Sequence, residues 1–180
     1  MRSTSRFRAS TDPNRRSTIS DDTHPPLVIG LVSDTHGLFR PELRAAMAGV
    51  DLIIHAGDVG SSEVLRQLSA IAPVEAVSGN VDDRRNPMLP RERSLRLGGL
   101  TIHVSHGDEL GSPRPELLLG RYVGEVLVYG HTHRRLVFRS ADNRLVVNPG
   151  AAGPRRFDVT PSCAKLTIVN GRAEVEFVDL

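Results

Sequence analysis

The chain has 180 residues, of which 39% are hydrophobic, with one cysteine and a formal net charge of +2 at pH 7. This length can bury the core of one domain without metals or disulfides, and one cysteine excludes an internal disulfide. No segment approaches the length of an apolar membrane span. We therefore expect a cytoplasmic protein of one domain without membrane attachment.

Residues 1–26 are rich in Arg, Ser, Thr, Asp and Pro and lack the apolar run of a signal peptide. Their five basic and three acidic residues account for the whole net charge, because the 18 basic and 18 acidic residues that follow cancel. This composition predicts a disordered extension over residues 1–26 and a single domain over 27–180. The balanced charge of the domain argues against strong nucleic-acid binding.

The domain begins with an apolar run that ends in a Ser-Asp turn, Leu27–Gly37 (LVIGLVSDTHG). Such a run predicts a central strand that is buried on both faces. Asp34 and His36 follow at its carboxyl end. If the backbone stays extended there, their side chains point to the same side, because residues two apart share a face. A carboxylate and an imidazole that face one point form half of a metal site.

Four later apolar runs also end with a Gly beside an Asp, Asn or His, at steps of 24, 22, 26 and 25 residues counted from Asp34. The runs are Leu52–His55, Val74–Val77, Thr101–Val104 and Val126–Tyr129. The turns behind them are Gly57-Asp58, Gly79-Asn80, His106-Gly107 and Gly130-His131-Thr132-His133. Steps of this size fit a strand, a helix or loop and the return to the next strand. The spacing predicts that these side chains lie along one edge of one sheet.

Helices are predicted over Leu43–Val50, Glu63–Ala70 behind Ser61-Ser62, and Pro113–Arg121. From Arg134 onward, alternating apolar and polar residues predict antiparallel strands at Leu136–Arg139, Leu145–Val147, Ala164–Val169 and Ala173–Val178. Hairpin turns are predicted at Ala141-Asp142-Asn143 and Asn170-Gly171. The first two-thirds is therefore predicted to be mixed α/β and the last third antiparallel.

The motifs of the five turns, taken in order, resemble those of the calcineurin-like metallophosphoesterases, and most closely the small, cap-less YfcE-type phosphodiesterases. They are Asp34-x-His36, Gly57-Asp58, Gly79-Asn80-x-Asp82, His106-Gly107 and Gly130-His131-Thr132-His133. The resemblance covers residues 27–180, and Asn148-Pro149-Gly150 followed by Pro154-Arg155 also matches. It implies a four-layer αββα fold, in which two facing mixed sheets are flanked by helices, with a dinuclear metal site at the strand ends.

Residue by residue, the resemblance assigns one metal ion to Asp34, His36, Asp58 and His133, and a second to Asp58, Asn80, His106 and His131. Asp58 bridges the two ions, and Asp58, Asn80 and His106 are also expected to take part in catalysis. Imidazoles with carboxylate and amide oxygens suit Mn, Fe, Zn, Co or Ni, and the absence of thiolate argues against a structural zinc site. We expect two divalent ions per chain, with manganese first among these metals.

Each motif alone has a structural alternative, because Asx side chains often cap turns. The joint occurrence of seven ligand positions favours the metal site. His55 is a candidate only for orienting a ligand, and His103, inside a strand, is predicted to be structural. Asp82 and Asp83 either orient a ligand or are solvated loop carboxylates. His24 belongs to the extension.

Two such ions activate a bridging water and stabilise an in-line displacement at phosphorus, which makes a hydroxide the predicted nucleophile. The ions, Asp34, Asp58 and the hydroxide sum to about one positive charge, which a phosphodiester monoanion neutralises. A dianionic monoester needs a further cation, for which the candidates are Arg84, Arg85, Arg155 and Arg156. A small phosphodiester is therefore the predicted substrate.

Two positions depart from the family's patterns. Larger phosphatases of the superfamily carry a His after the Gly-Asn pair that helps to protonate the leaving group, whereas this chain has Val81. Many small relatives have His-Gly-His where this chain has His106-Gly107-Asp108. The general acid therefore stays unidentified, as does the oligomeric state, including a homo-oligomer.

Two alternatives to a phosphodiesterase stay open. One is a protein-interaction scaffold on the same fold, like a retromer subunit with an impaired site. The other is a nuclease of the superfamily, against which the balanced charge of the domain argues. Because all seven ligand positions are filled, the sequence favours the enzyme.

Overall fold

The computed structural model describes residues 25–156 and 158–180. Almost all of the extension predicted over residues 1–26, including His24, therefore lies outside the described residues. Within the described residues no helix is long and apolar enough to cross a membrane.

Ten strands and three α-helices follow one another in the described chain. They are β1 (Leu27–Val32), α1 (Glu42–Ala46), β2 (Leu52–His55), α2 (Ser62–Ser69), β3 (Val74–Ala76), β4 (Glu92–Leu97), β5 (Leu100–Ser105), α3 (Pro115–Arg121), β6 (Val126–Val128), β7 (Leu136–Arg139), β8 (Leu145–Asn148), β9 (Ser162–Val169) and β10 (Arg172–Asp179). One sheet has the order β10-β9-β1-β2-β3 and the other β4-β5-β6-β8-β7. Both sheets are mixed, since β1, β2 and β3 are parallel, as are β5, β6 and β8, while β4, β7 and β9 run antiparallel to their neighbours.

Neighbouring residues of the central strands pack into different cores, because successive side chains of a strand point to opposite faces. On β2, Ile54 lies in the core between the sheets, whereas Ile53 packs with residues of α1 and α2. On β6, Val126 and Val128 face the first sheet, whereas Leu127 packs against α3. The result is four layers, with α1 and α2 outside one sheet and α3 outside the other, so the predicted αββα fold is confirmed.

The expectation that all ligand turns lie on one sheet is wrong. The strands β1, β2 and β3 belong to one sheet, and β5 and β6 belong to the other. The carboxyl ends of both parallel sets meet at the same end of the sandwich. In the chain between β3 and β5 lies the strand β4, which pairs antiparallel with β5 and was not predicted from the sequence. Alternating polarity in Glu92–Leu97 and the turn Gly98-Gly99 are the signals that indicate this hairpin.

The helix predictions are correct in position and differ at the ends. Ser61 is the N-cap of α2, and its Oγ accepts the backbone N–H of Glu63 at 3.1 Å. The helix α1 ends at Ala46, four residues before the predicted end, and Gly49 turns the chain with a φ of 75°. The helix α3 begins at Pro115, where a missing N–H is harmless.

Arginine side chains join the two sheets at both open sides of the sandwich. Arg93 of β4 donates through Nε to the carbonyl of Ala76 in β3 at 2.9 Å. On the other side, Arg139 of β7 donates through Nη2 to the carbonyl of Ala173 in β10, also at 2.9 Å. These contacts fix the distance between the sheets whose loops carry the predicted ligands.

Candidate metal centre

The backbone is left-handed at five of the seven predicted ligands. The φ angles are 54° at Asp34, 47° at His36, 52° at Asp58, 67° at His131 and 57° at His133. The expectation of an extended backbone at Asp34 and His36 is therefore wrong. For L-residues this conformation costs about 1–2 kcal/mol, and such strain concentrates at functional sites.

Hydrogen bonds between loops hold these turns in place. The N–H of Asp34 donates to the carbonyl of Gly57 at 3.0 Å, and the N–H of His36 donates to the carbonyl of Asp58 at 2.9 Å. From the other sheet, the N–H of His131 donates to Oδ2 of Asp34 at 3.2 Å. The loops of both sheets therefore form one hydrogen-bonded unit.

Asp34, His36 and His133 form the first cluster, with their ligand atoms within 4.8 Å of one another. Nε2 of His133 lies 3.2 Å from Oδ1 of Asp34 and 3.3 Å from Nε2 of His36. Oδ2 of Asp58 lies 3.8 Å from the same His36 nitrogen. These four side chains are the ones that the resemblance assigns to the first ion.

Asp34, Asp58 and His106 form the second cluster. Nε2 of His106 lies 3.4 Å from Oδ1 of Asp58 and 4.0 Å from Oδ1 of Asp34. The other nitrogen, Nδ1, lies 2.8 Å from the carbonyl of Ala56 and donates to it, which leaves Nε2 without its proton in the neutral ring. Asp34 thus belongs to both clusters, whereas the resemblance makes only Asp58 shared.

Two buried polar atoms in these clusters have no hydrogen-bond partner within the described residues, namely Oδ1 of Asp34 and Nε2 of His106. A buried acceptor without a partner costs about 1–3 kcal/mol. The two atoms lie 4.0 Å from each other, and a cation between them would satisfy both. The donor set, two carboxylates and several imidazoles, suits a divalent transition metal. The residues present therefore fit the group that the superfamily implies.

Asn80 and His131 lie beside the clusters and bind each other. Nδ1 of His131 is 3.2 Å from Oδ1 of Asn80, and its Nε2 is 3.2 Å from the carbonyl of Gly111. The His131 ring stands edge-on to that of His106, with 5.2 Å between ring centroids. The assignment of Asn80 and His131 to the second ion therefore stays a prediction.

The close charges in the centre shift two pKa values in opposite directions. Burial alone would lower the pKa of His106, but the carboxylate of Asp58, 3.4 Å from its Nε2, and the charge of Asp34 raise it to about 9. Burial would raise the pKa of Asp58, but its contacts with His106 and the N–H of Val81 lower it to about 2. The site therefore stabilises positive charge at the place where a metal ion would bind.

Asp82 orients two ligand loops, which answers the question that the sequence leaves open. Its carboxylate accepts the N–H groups of Val59 at 3.1 Å, Gly60 at 2.8 Å and Gly79 at 2.9 Å. It thereby ties the loop of Asp58 to the loop of Asn80. Asp83 is exposed and pairs with Arg85 at 3.3 Å, so it is a solvated loop carboxylate.

His55 positions the loop of Asp34 and His36 through Thr35. The orienting role of His55 agrees with the sequence prediction, whereas the part played by Thr35 was not predicted. Nε2 of His55 lies 2.9 Å from Oγ1 of Thr35, and that hydroxyl donates to the carbonyl of Val59 at 3.0 Å. Burial lowers the pKa of His55 to about 4, so the ring is neutral at pH 7. His103 stacks on Tyr122 with 4.0 Å between centroids, as expected of a structural residue.

Other small contacts shape the remaining turns. Nδ2 of Asn148 donates to the carbonyl of Gly130 at 2.7 Å and to Oγ1 of Thr132 at 3.0 Å, which holds the turn with His131 and His133. A Cβ on Gly57 would lie only 2.7 Å from Nδ1 of His106. Glycine is therefore required there for the ring to approach the loop.

The sequence matches the calcineurin-like phosphoesterase superfamily domain over residues 27–171. The chain therefore belongs to the calcineurin-like phosphoesterase superfamily, as the motifs predict. It is 34% identical over 163 residues to a probable metallophosphoesterase of Methanothermobacter thermautotrophicus, covering 84% of this chain and 92% of the relative. It is 31% identical over 140 residues to the phosphodiesterase MJ0936 of Methanocaldococcus jannaschii, covering 68% of this chain and 82% of the relative.

The fold is also similar to that of vacuolar protein sorting 29 from Cryptosporidium parvum. The TM-score is 0.71 at 23% sequence identity, covering 86% of this chain and 98% of that chain. At this identity the likeness bears on the fold alone.

Proposed function

We propose that the chain is a dinuclear metal-dependent phosphodiesterase. One observation carries the proposal: two adjoining His/Asp clusters share Asp34, and two of their buried atoms, Oδ1 of Asp34 and Nε2 of His106, lie 4.0 Å apart with no hydrogen-bond partner among the described residues. A relative of 31% identity is named a phosphodiesterase, which supports this reaction class.

In this proposal the seven predicted ligands divide between two ions, of which manganese is the first choice and Fe, Zn, Ni and Co the others. Asp34, His36, Asp58 and His133 would hold one ion, and Asp58, Asn80, His106 and His131 the other. When bound, two such ions supply Lewis acidity to the phosphoryl oxygens and lower the pKa of a bound water. Asp58 would bridge the ions, and Asn80 and His106 would also contact the reacting phosphoryl group. Through its bond to Ala56, His106 keeps Nε2 directed into the site.

The charge of the site favours a diester over a monoester. Arg84 and Arg85 are occupied by ion pairs with Asp108 at 3.6 Å and Asp83 at 3.3 Å. Among the four candidate arginines, only Arg156 makes a polar contact with a predicted ligand within the described residues, with Nη2 3.5 Å from Nε2 of His36. One exposed arginine is a weak source of extra charge, so we assign a small phosphodiester monoanion as the substrate.

A scaffold function is the second candidate, because the fold is similar to that of vacuolar protein sorting 29. Against it, the chain retains every predicted ligand, and five of them already lie within the two clusters. A nuclease is disfavoured by the balanced charge of residues 27–180. We place the protein in the cytoplasm, since its one cysteine, Cys163, is buried and unpaired.

The test is a metal screen with bis-p-nitrophenyl phosphate. Metal-free protein is loaded with Mn, Fe, Zn, Co or Ni, and hydrolysis is measured beside the metal content per chain. We expect two ions per chain and turnover with at least one metal. A protein that binds fewer than two ions and hydrolyses nothing would support the scaffold instead.

A further inference from the structure

A cleft of about 180 Å³ is lined by Val59 and Val81, which directly follow the predicted ligands Asp58 and Asn80 in the chain. We name it the Val81 cleft; apolar side chains of Val59, Leu65, Val81 and Leu89 and polar side chains of Ser61, Ser62, Asp82, Asp83 and Asn86 line it. The N–H of Val81 donates to Oδ1 of Asp58 at 3.1 Å, while its half-exposed side chain lines the cleft. The cleft therefore adjoins two predicted ligands, Asp58 and Asn80.

The floor of the Val81 cleft is rigid. Asp82 accepts three backbone N–H groups, two from the loop of Asp58 and one from Gly79. Leu89 is buried beneath it, and Ser61 is fixed as the N-cap of α2. A ligand that enters the cleft therefore meets a preformed surface, which limits the entropy lost on binding.

The size and the apolar walls of the cleft suit one ring. An apolar cavity of about 150 Å³ in another protein is large enough to hold benzene, so about 180 Å³ accommodates a single six-membered ring. Leu65 and Val81 supply apolar surface on its walls, above the buried Leu89. A ring pressed against these side chains would bury apolar area, which favours binding.

The charge of the cleft disfavours an anionic group, and the nearby Arg85 is already paired with Asp83 at 3.3 Å. Among the described residues that line it are two carboxylates, Asp82 and Asp83, and neither Lys nor Arg. The arginine that contacts a predicted ligand, Arg156, lies against His36 and does not line the cleft. A second phosphate, as in a nucleoside polyphosphate, would therefore be repelled here.

We propose that the Val81 cleft binds one ester substituent of the substrate, an uncharged aromatic or heterocyclic ring, and so restricts the substrates to phosphodiesters that carry such a ring. The inference rests on the proposed function. In the reaction, water adds its oxygen to phosphorus and the bond from phosphorus to the leaving oxygen breaks. The products are a phosphomonoester and an alcohol or phenol.

Neither Val81 nor Asp82 can protonate the leaving oxygen from the cleft. Val81 has no proton donor in its side chain, and both carboxylate oxygens of Asp82 already accept backbone N–H groups. The leaving group therefore departs as an anion and takes its proton from solvent, so acidic phenols are better leaving groups than alkanols. General acid catalysis typically contributes about 10²- to 10⁴-fold, and alkyl diesters would lack that contribution.

The test compares two probes that differ only in the ring, phenylphosphonate and methylphosphonate. Their dissociation constants are measured by calorimetry on the metal-loaded full chain, beside hydrolysis of bis-p-nitrophenyl phosphate. We expect phenylphosphonate to bind about tenfold more tightly, from burial of the ring. The variant Leu65→Trp fills the cleft from α2 and should reduce this ratio to about one. Leu117→Trp, on the exposed face of α3, is the matched control and should leave the ratio unchanged.

A second variant keeps the inference testable if Leu65→Trp does not fold. Val81→Lys adds a cation to the cleft and should increase the affinity for 4-carboxyphenylphosphonate relative to phenylphosphonate at least about fivefold. Damage to the fold cannot produce that gain. Equal binding of both probes by the wild type, or equal ratios in the two Trp variants, would overturn the inference while diester hydrolysis persists. Absence of hydrolysis with an intact tenfold ratio would instead overturn the proposed function alone.

Discussion

Left-handed residues other than glycine occur in two regions of the described chain, the ligand loops and the hairpin turns. In the hairpins they are Asn143 (φ 68°) and Asn170 (φ 50°), both exposed. Asn143 donates its N–H to the carbonyl of Ser140 at 3.0 Å, a bond inside the turn. In the ligand loops the buried Asp34 and Asp58 adopt the same backbone, and there the contacts come from other loops.

The difference distinguishes left-handed residues that follow from the sequence of the turn from those whose conformation is imposed by contacts with other loops. Asn tolerates the left-handed region and closes both hairpins, the two-residue turn at Asn170 and the longer turn at Asn143, so the sequence of each turn suffices. The ligand loops place Asp and His in this conformation while burying them beside one another, which is unfavourable without a cation. The strain is maintained by the rest of the fold, as expected where function requires the geometry.

The largest expected effect comes from Asp58→Asn, compared with Asn170→Asp, which makes the reverse exchange at a left-handed hairpin position. Loss of the Asp58 carboxylate removes a charge that both ions would share. We expect kcat/KM for bis-p-nitrophenyl phosphate to fall at least about 100-fold, with loss of at least one ion. The hairpin variant should match the wild type. Two ions per chain with near wild-type turnover in Asp58→Asn would refute the site assignment.

The second prediction compares Asp82→Ala with Asp83→Ala. The carboxylate of Asp82 accepts three backbone N–H groups from the loops of Asp58 and Asn80, whereas Asp83 is exposed. Urea unfolding of metal-free protein should show a loss of about 2 kcal/mol for Asp82→Ala and less than about 0.5 kcal/mol for Asp83→Ala. Equal effects would mean that the ligand loops do not depend on this carboxylate.

The third prediction concerns pH and the metal-free centre. Because the folded pKa of His106 is about 9 and its ordinary value is 6.5, its stabilising contribution is complete below pH 6.5 and is lost between pH 6.5 and about 9. Urea unfolding should show that the stability difference between wild type and His106→Gln shrinks over this range, by an amount on the order of 2 kcal/mol. A difference independent of pH would contradict the raised pKa.

The same shift predicts that metal ions bind more tightly as the pH rises. A metal ion must displace the proton from Nε2 of His106. The affinity for the ion should therefore increase up to about pH 9, because above that pH the ring is already neutral in the metal-free protein. Calorimetry in buffers of different ionisation enthalpy measures the proton released. Binding without proton release at pH 7 would count against His106 as a ligand.

The smallest effect distinguishes two arginines, one at each kind of turn. Arg156 lies 3.5 Å from Nε2 of His36, whereas Arg139 lies 3.2 Å from Oδ1 of Asn143 and also joins the two sheets. Arg156→Ala should weaken inhibition by p-nitrophenyl phosphate, the dianionic product, about fivefold without a change in stability. Arg139→Ala should reduce stability by about 1 kcal/mol and leave inhibition unchanged.

Arg155→Ala is the neighbouring control for Arg156, since within the described residues Arg155 makes no hydrogen bond or ion pair with a predicted ligand. Inhibition in this variant should stay within about twofold of the wild type. Identical weakening in both variants would assign the effect to the charge of the whole loop.

Much of the fold and of the site follows from local patterns in the sequence. The run before Asp34 predicts β1 because a strand buried on both faces needs continuous apolar residues. Asn170-Gly171 predicts the β9–β10 hairpin because its residues tolerate the backbone of the turn. The ordered motifs identify the superfamily and name the five residues that meet in the two clusters.

Only the tertiary structure decides which strands share a sheet and what supports the ligands. Apolar runs of similar length and spacing do not specify a partner, so β5 and β6 could not be separated from β1 before packing was known. The left-handed turns at Asp34 and His36 contradict the local preference and depend on the hydrogen bonds that their N–H groups donate to the carbonyls of Gly57 and Asp58. The roles of Thr35 and Asp82 likewise arise from contacts between distant loops, because a polar residue's partner is chosen by proximity in the folded chain.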